Sequence, residues 1–301
     1  MKINNYDFCI AWNWEYDADF VCKLNELCHT NGLSIVQVTP ENLTDFQNLL
    51  NDDRITFRVF FDRASDTDKR FIQVDQWARD HNVYRPNAYE RAYRTWNKAT
   101  MHLELITAGV HTPYTIIIPP YEEQPEIDEI DLSPLGKSFF IKPAHGGGGE
   151  GITREATTFN QVLIARRVKP DDTYLLQAHV YPVQLGIRPA WFRVISCTGQ
   201  IYLSWWDPHT HIYIPLTPDE ESLYNLTQLR DVTSTIADVC NLELFSTEIA
   251  LTSDCLFVVV DYVNDQIDLR LKSKAHDGVP DEYIQSITKH LIDIVKVYSY
   301  T

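Results

Sequence analysis

The sequence predicts an α/β protein, and three observations lead to that fold class. Over about the first ninety residues, short apolar runs alternate with segments whose apolar residues recur at helical spacing. A cluster of five of the chain's 11 glycines lies within positions 146–151, directly after the apolar run 139–141. Near the other end, the apolar stretch 257–260 runs into the carboxylate Asp261. Repeated strand and helix units favour a parallel sheet covered by helices, with functional groups at the strand ends.

Length, composition and charge exclude several classes of protein. With 301 residues, 44 % hydrophobic and 23 % charged, the chain can fold into two or three domains with a large core. The net charge of −16 argues against nonspecific binding to nucleic acid. The six cysteines form no CxxC pair, which is typical of reduced thiols in the cytoplasm. Because no signal peptide or membrane span is evident, we expect a cytoplasmic protein without a membrane partner, and a homodimer is compatible with this class.

The N-terminal region provides the repeated units. Strands are predicted at 8–12, 34–38 and 57–61, and helices at 17–28, from Thr39-Pro40 onward, and at 68–81. Thr39 would cap the second helix, with Pro40 in its first turn. No GxGxxG follows the first strand, so a dinucleotide-binding fold is not indicated.

A long helix is predicted next, over 87–108, and Gly109 would end it. Lys98 lies within this segment; taken alone, such a lysine is usually solvated. A strand at 114–118 follows, and 119–134 is rich in Pro, Glu and Asp, which indicates an exposed loop.

The stretch 138–151, SFFIKPAHGGGGEG, is the strongest local signal in the chain. A strand that delivers Lys142 into a glycine-rich loop can clamp a polyphosphate, with backbone N–H groups around the oxygens and the ammonium as a point charge. It is not a Walker loop, since no Gly-Lys-Ser/Thr closes it. A flexible hairpin tip explains this stretch equally well when it is taken alone.

The remaining elements follow in order. They are a helix at 158–167, a strand at 174–180, a hairpin of 191–196 and 200–205 turned at Thr198-Gly199, helical sequence over 219–240, strands at 244–251 and 256–263, and a final helix at 281–297.

Polar residues on the last two predicted strands suggest a metal site. Glu248 and Asp261 would lie at the ends of adjacent antiparallel strands, near Asn264, and such oxygens are the ligands that Mg²⁺ prefers. The alternative is strand-end carboxylates that face water, although the apolar neighbours of Glu248 weaken it. Downstream, Arg270 and Lys272 alternate with a strand period, so they are either a solvated strand face or contacts to phosphate or a substrate carboxylate.

One aromatic segment has no assigned role. Trp205 and Trp206 precede His209 and His211, and the four side chains either line a substrate pocket or pack in the core.

In their order along the chain, these features resemble the ATP-grasp superfamily, over nearly the whole length. The matching residues are a lysine at a helix start (Lys98), a strand lysine before a glycine flap (Lys142 and Gly146, Gly147, Gly148, Gly149), an apolar hinge (Gln177, Ala178, His179, Val180), a strand arginine (Arg193), and the late group Glu248, Asp261 and Asn264. The resemblance implies an ATP-grasp fold preceded by a small N-terminal α/β domain. The expected domains are an N-terminal domain at 1–93, a central ATP-binding subdomain at 94–180 and a C-terminal subdomain with the metal site at 181–301.

The resemblance also implies roles. Lys98, Lys142 and the glycines would bind ATP phosphates, residues 177–180 would meet the adenine, and Gln184 would reach the ribose. Glu248, Asp261 and Asn264 would hold Mg²⁺ or Mn²⁺. Arg193 would stabilise the transferred phosphoryl group or the acyl-phosphate. Arg270 and Lys272 are further catalytic candidates.

The activity implied is a ligase that activates a small-molecule or peptide carboxylate as an acyl-phosphate and joins it to an amine. A small-molecule kinase and a non-catalytic nucleotide-binding protein of the same fold are the alternatives. Three positions depart from the family pattern: Gln177-Ala178-His179 where glutamate is common, Trp191 where an acid often precedes the arginine, and two residues rather than one between Asp261 and Asn264. The last departure would fit a β-bulge, or participation of Asp265.

Overall fold

A computed structural model describes residues 3–299. The two residues at each end, which the first and last predicted domains include, lie outside the described residues. Within the described residues no helix is long and apolar enough to cross a membrane.

The N-terminal region is a three-stranded parallel sheet with helices against it, as predicted. Its strands are β1 (Asn4–Trp12), β2 (Ile35–Val38) and β3 (Ile55–Arg63), in the order β2-β1-β3. The helices are α1 (Ala18–Thr30), α2 (Leu43–Asn51) and α3 (Ile72–Asp80). Apolar side chains of β1 and β3 are buried on both faces, which is typical of a covered parallel sheet.

The predicted start of α2 at Thr39-Pro40 is wrong. The Asn42 side chain accepts a hydrogen bond from the Thr39 backbone N–H at 2.9 Å and donates one to the Gln37 carbonyl at 3.0 Å. These bonds close a turn over residues 39–42, so the helix begins only at Leu43.

Two predicted helices are each divided. The segment 87–108 forms α4 (Tyr89–Thr95) and α5 (Lys98–Thr107), because the Asn97 side chain accepts from the Thr100 N–H at 2.9 Å and so caps a new helix. The segment 219–240 lies in α7 (Pro218–Leu223) and α8 (Gln228–Cys240), which are separated where Asn225 takes a positive φ of 56°.

The middle of the chain is a four-stranded antiparallel sheet. Its strands are β4 (Thr115–Ile118), β5 (Phe139–Pro143), β6 (Thr153–Ala156) and β7 (Tyr174–Ala178), in the order β4-β7-β5-β6. Helix α6 (Phe159–Ala165) begins with a capping box between Thr158 and Gln161. The glycine loop connects β5 with β6 at one edge of this sheet.

The C-terminal part contains a five-stranded antiparallel sheet in the order β12-β11-β10-β13-β14. The strands are β10 (Trp191–Cys197), β11 (Gln200–Asp207), β12 (Ile212–Pro215), β13 (Leu244–Leu251) and β14 (Phe257–Asn264). The hairpin turned at Thr198-Gly199 is confirmed. A short hairpin of β8 (Gln184–Leu185) and β9 (Arg188–Pro189) precedes this sheet.

The last helix, α9 (Asp281–Ser299), packs on the first sheet of the chain. Its buried side chains, among them Ile284, Ile287 and Leu291, share a core with Phe8 and Leu24 of the N-terminal region. The N-terminal sheet and helix α9 therefore form one packed unit beside the five-stranded sheet.

The strand predicted around Arg270 and Lys272 is wrong. The segment 265–280 contains turns and a single bridge between Leu271 and Val279. At Gly278 a Cβ atom would lie 2.6 Å from the Leu271 carbonyl, a close approach that only glycine permits, so the segment folds back on itself instead of extending.

Candidate active site

A cavity of about 760 Å³ lies where the four-stranded and five-stranded sheets face each other. Its walls come from the glycine loop, β5, β7, the start of α5, and the facing strands β13 and β14. It brings together most of the residues that the sequence singles out. Those that line it are Lys98, Lys142, Gly146, Gly147, Gly148, Gly149, Gln177, Glu248, Asp261 and Asn264.

Lys142 reaches the cavity from β5. Its ammonium donates to Gln177 Oε1 at 2.6 Å and lies 5.0 Å from the centre of the Phe140 ring. Burial lowers the pKa of Lys142 to about 8, although Asp261 opposes that shift. The Lys142 side chain is therefore mostly a cation at neutral pH and loses its proton as the pH rises through about 8.

Lys98 is the first residue of α5, and the Asn97 cap fixes its position. Its ammonium donates to the Gly146 carbonyl, and its backbone N–H donates to the Ala144 carbonyl at 2.9 Å. Burial lowers the pKa of Lys98 as well. The start of α5 is therefore attached directly to the glycine loop.

The glycine loop needs its glycines at particular positions. Gly146 has a φ of 121°, and a Cβ there would lie 3.2 Å from the Lys169 ammonium. At the start of the loop, His145 is held by Asp172, which accepts from its backbone N–H at 3.0 Å and contacts its ring Nδ1 at 2.9 Å. The loop thus begins at an anchored residue and then extends, exposed, over the cavity.

The opposite wall is an ordered row of charged residues. Arg193 of β10 pairs in register with Glu248 of β13, which pairs with Asp261 of β14, so the three side chains lie on one face of the sheet. An extra residue in β14 between Asp261 and Asn264 forms a β-bulge, which places Asn264 opposite Ser246. Because Ser246 lies two positions before Glu248, Asn264 shares the face of Asp261, and the longer spacing is the predicted bulge.

Arg193 lies behind this row, against the two carboxylates. Its guanidinium donates to Glu248 Oε1 at 2.6 Å and lies 3.5 Å from Asp261 Oδ2. Trp191 Nε1 donates to the other Glu248 oxygen at 3.1 Å. Asp261 has 41 % of its side chain exposed and is the most open of the three charged groups.

The donor chemistry of this wall fits a hard divalent cation. Two carboxylates and one amide present oxygen atoms on the same face, and the Asn264 amide donates its N–H to Ser246 at 3.3 Å, which leaves its oxygen free. Within residues 3–299 no three His, Cys, Asp or Glu side chains form a metal-holding group, so the candidate set depends on the amide.

Several predicted residues lie away from the cavity lining. Ala178, His179 and Val180 continue from Gln177 outside it, and Gln184 is exposed on β8. Arg270 is held by Asp268 and Asp277 at 2.6 and 2.9 Å, and the Lys272 ammonium donates to the Tyr213 carbonyl at 2.7 Å. Neither Arg270 nor Lys272 reaches the site.

The four side chains singled out in the aromatic segment 205–211 differ in role: some pack in the core and one lines the cavity. Trp205 packs in the core against Phe192, and Trp206 lies 5.4 Å from the Arg193 guanidinium. His211 stacks on Trp206 at 5.6 Å and lines the cavity, whereas His209 does not.

Sequence reasoning missed part of the lining. Asp66 and Thr67 follow β3, and the carboxyl end of a parallel strand is a signal that could have identified them. Asp265, whose participation was one of the two expectations from the sequence, also lines the cavity. It accepts from Asn87 at 2.7 Å and Trp96 at 3.3 Å, and burial raises its pKa to about 7.

Comparison with solved structures places this geometry in a known fold. The chain is similar to D-alanine–D-alanine ligase from Bacillus anthracis complexed with ATP, at 11 % identity, a TM-score of 0.67, and coverage of 97 % of this chain and 98 % of that one. It is also similar to an ATP-grasp RimK domain protein from Sphaerobacter thermophilus, at 15 % identity, a TM-score of 0.62, and coverage of 94 % and 98 %. A third similar structure is the ATP-grasp ligase PsnB with a minimal precursor, Mg and ADP, at 12 % identity, a TM-score of 0.62, and coverage of 96 % and 98 %.

The chain therefore has the α/β ATP-grasp fold over nearly its whole length, as the resemblance implied. No family model and no curated protein matches the sequence, so the likeness lies in the structure.

Proposed function

We propose that this protein is an ATP- and Mg²⁺-dependent ligase that joins a carboxylate to an amine. The observation that carries the proposal is one cavity with two lysines and a glycine loop on one wall and two carboxylates on the other, with Arg193 packed behind those carboxylates. The first wall suits a polyphosphate, and the second suits its metal ion. The similar structures include ligases complexed with ATP or with Mg and ADP.

The phosphates are assigned to the β5 side of the cavity. Lys98 and Lys142 supply cations, and the loop Gly146 to Gly149 supplies backbone N–H groups that a closely approaching phosphate can use. Adenine contacts by the backbone of 177–180 and a ribose contact by Gln184 remain predictions from the resemblance.

The carboxylate wall is assigned to the metal and the reacting phosphoryl group. Glu248, Asp261 and Asn264 would hold Mg²⁺, which neutralises phosphate charge when bound. Arg193, which contacts both carboxylates, would stabilise the charge of the transferred group.

The reaction has two steps. A substrate carboxylate oxygen bonds to the γ-phosphorus of ATP while the bond from that phosphorus to the ADP oxygen breaks, giving an acyl-phosphate and ADP. An amine then attacks the acyl carbon, the bond to phosphate breaks, and the amine loses a proton as the amide forms. The protein contributes positioning and charge stabilisation to both steps.

Hydroxylamine trapping tests this function. The protein is incubated with ATP, Mg²⁺, hydroxylamine and each of a panel of carboxylates, and ADP and hydroxamate are measured. We expect both products with at least one carboxylate, and their loss in Lys142→Met and Asp261→Asn. Lys137→Met, on an exposed loop away from the cavity, is the matched control and should keep the activity.

Other products would favour the alternatives. A phosphorylated hydroxyl acceptor without hydroxamate would replace the ligase by a kinase. ATP binding without ADP from any acceptor would indicate a non-catalytic nucleotide-binding protein.

A further inference from the structure

A chain of hydrogen bonds runs from the cavity wall at Lys142, through Gln177 and Tyr262, to His102 on helix α5. Lys142 donates to Gln177 Oε1 at 2.6 Å, and Gln177 Nε2 donates to the Tyr262 hydroxyl at 2.9 Å. That hydroxyl lies 2.7 Å from His102 Nδ1. Gln177, Tyr262 and His102 are buried, so the two bonds that Tyr262 makes with Gln177 and His102 are sheltered from water.

The donors and acceptors fix the orientation of the Gln177 amide. An ammonium has only donors, so the amide atom that faces Lys142 is the oxygen. The amide nitrogen then faces Tyr262 and Thr115 Oγ1, at 2.9 and 3.4 Å. The Thr115 hydroxyl donates its own proton to the Pro113 carbonyl at 2.8 Å, so its oxygen is available as an acceptor.

The same reasoning extends to His102. The Tyr262 oxygen accepts from Gln177 and its O–H remains as a donor, so we assign His102 Nδ1, 2.7 Å away, as the acceptor of that proton. This requires a neutral imidazole with its proton on Nε2. Burial lowers the pKa of His102, which favours the neutral ring.

We propose that Tyr262 and His102 are positioning residues that hold the Gln177 oxygen against Lys142 and so aim the ammonium at the phosphates of ATP. This role rests on the proposed function. Without the Tyr262 and His102 bonds, the amide can rotate and turn its NH₂ group toward the ammonium, which removes an acceptor and adds repulsion.

The chain of bonds also connects the parts of the site. His102 is on α5, which begins with Lys98, and Tyr262 directly follows Asp261 on β14. Gln177 and Lys142 are on the paired strands β7 and β5. One set of bonds therefore links Lys142, and the helix that begins with Lys98, to the strand that carries Asp261.

The tautomer of His102 tests the direction of these bonds without any ligand. Nitrogen-15 NMR of the wild-type protein at neutral pH should show His102 with Nδ1 unprotonated and Nε2 protonated, assigned by its loss in His102→Asn. A protonated Nδ1 would make His102 the donor to Tyr262, and it would overturn the proposed role of His102 as the acceptor that orients the Tyr262 hydroxyl.

Calorimetric titration with ATP and Mg²⁺ tests the positioning role. We expect Tyr262→Phe and His102→Leu to weaken ATP binding about tenfold, the effect of losing one charge-assisted contact. His102→Asn should restore most of the affinity, because Asn Oδ1 occupies the place of His Nδ1 and can accept from Tyr262. Tyr283→Phe removes a tyrosine hydrogen bond far from the cavity, to the Leu203 carbonyl at 2.7 Å, and is the matched control.

The outcomes separate the two proposals. If wild type binds ATP and both Tyr262→Phe and His102→Leu bind it equally well, the positioning role is wrong and the proposed function stands. If wild type has no affinity for ATP, the proposed function fails, and this role fails with it. If His102→Asn keeps the ATP affinity that His102→Leu loses, the loss is due to the missing acceptor for Tyr262. Equal loss in both variants would instead indicate a general loss of stability and would contradict the positioning role.

Discussion

At the scale of single residues, the charge state of Lys142 is the most sensitive property of the site. Burial holds its pKa at about 8, below the ordinary value of 10.5, so the folded protein loses this proton before the unfolded chain does. Between these two pH values the unfolded chain binds more protons, and the contribution of Lys142 to stability rises with pH. The cost of burying the ammonium is therefore fully present below pH 8, where the charge can attract phosphate.

This leads to a pH prediction for ATP binding. As the pH rises through about 8, the free protein loses the Lys142 proton, so binding must take up a proton and the affinity should fall. Lys142→Arg keeps its charge at all these pH values and should bind without that dependence. Titration in two buffers of different ionisation enthalpy measures the proton uptake. An unchanged pH dependence in Lys142→Arg would assign it to another group, such as Lys98.

At the scale of elements, one helix cap determines where Lys98 lies. Asn97 interrupts what the apolar pattern predicts as a single helix and starts α5 at the lysine. The break depends on one side-chain hydrogen bond, since the apolar pattern continues through it.

We expect Asn97→Ala to lower the free energy of unfolding by about 1 kcal/mol, the usual cost of a lost cap, and to weaken ATP binding because Lys98 is no longer fixed. Asn97→Asp keeps an oxygen that can cap the helix and should retain most of the stability. Urea unfolding and ATP titration of the pair provide the measurement. Equal behaviour of the two variants would show that the cap does not position Lys98.

Some secondary-structure elements could be predicted from the sequence and others could not. Parallel strands, the Thr198-Gly199 hairpin and the bulge before Asn264 could be predicted, because each follows from local periodicity, turn residues or spacing. The start of α2 could not, because the Asn42 side chain prevents the Thr39-Pro40 start.

Long-range contacts explain what the sequence could not provide about the site. Arg270 has a strand-like pattern of neighbours, but Asp268 and Asp277 hold it outside the cavity. His102 contacts Tyr262 across 160 positions of the chain, a pairing that no local pattern encodes. The division at residues 93 and 180 into three domains remains a prediction.

At the scale of the whole molecule, a buried ion pair joins the N-terminal sheet to the segment after β14. Arg63 donates to both Asp17 oxygens at 2.7 and 2.8 Å, to Gln266 at 3.1 Å and to the Ile267 carbonyl at 2.9 Å. The side chains of the pair are 2 % and 1 % exposed. This contact holds the chain that follows the carboxylate strand against the first sheet.

Arg63→Met should lower the free energy of unfolding by about 3–5 kcal/mol, because it leaves the Asp17 carboxylate buried without a partner. Arg79→Met removes an exposed pair with Asp80, whose side chains are 52 % and 64 % exposed, and should change stability by less than about 1 kcal/mol. Denaturant unfolding of both variants measures the difference. A loss in Arg63→Met as small as that in Arg79→Met would contradict a structural role for the buried pair.

Every proposed role in the site depends on the cavity binding ATP and its metal ion, which calorimetric titration of ATP with and without Mg²⁺ measures. We expect binding that Mg²⁺ strengthens in the wild type, with weaker binding in Lys142→Ala and loss of the Mg²⁺ effect in Asp261→Ala. Lys137→Met should titrate as wild type. If the wild type has no affinity for ATP, with or without Mg²⁺, the cavity is not an ATP site and the glycine loop is only a flexible hairpin.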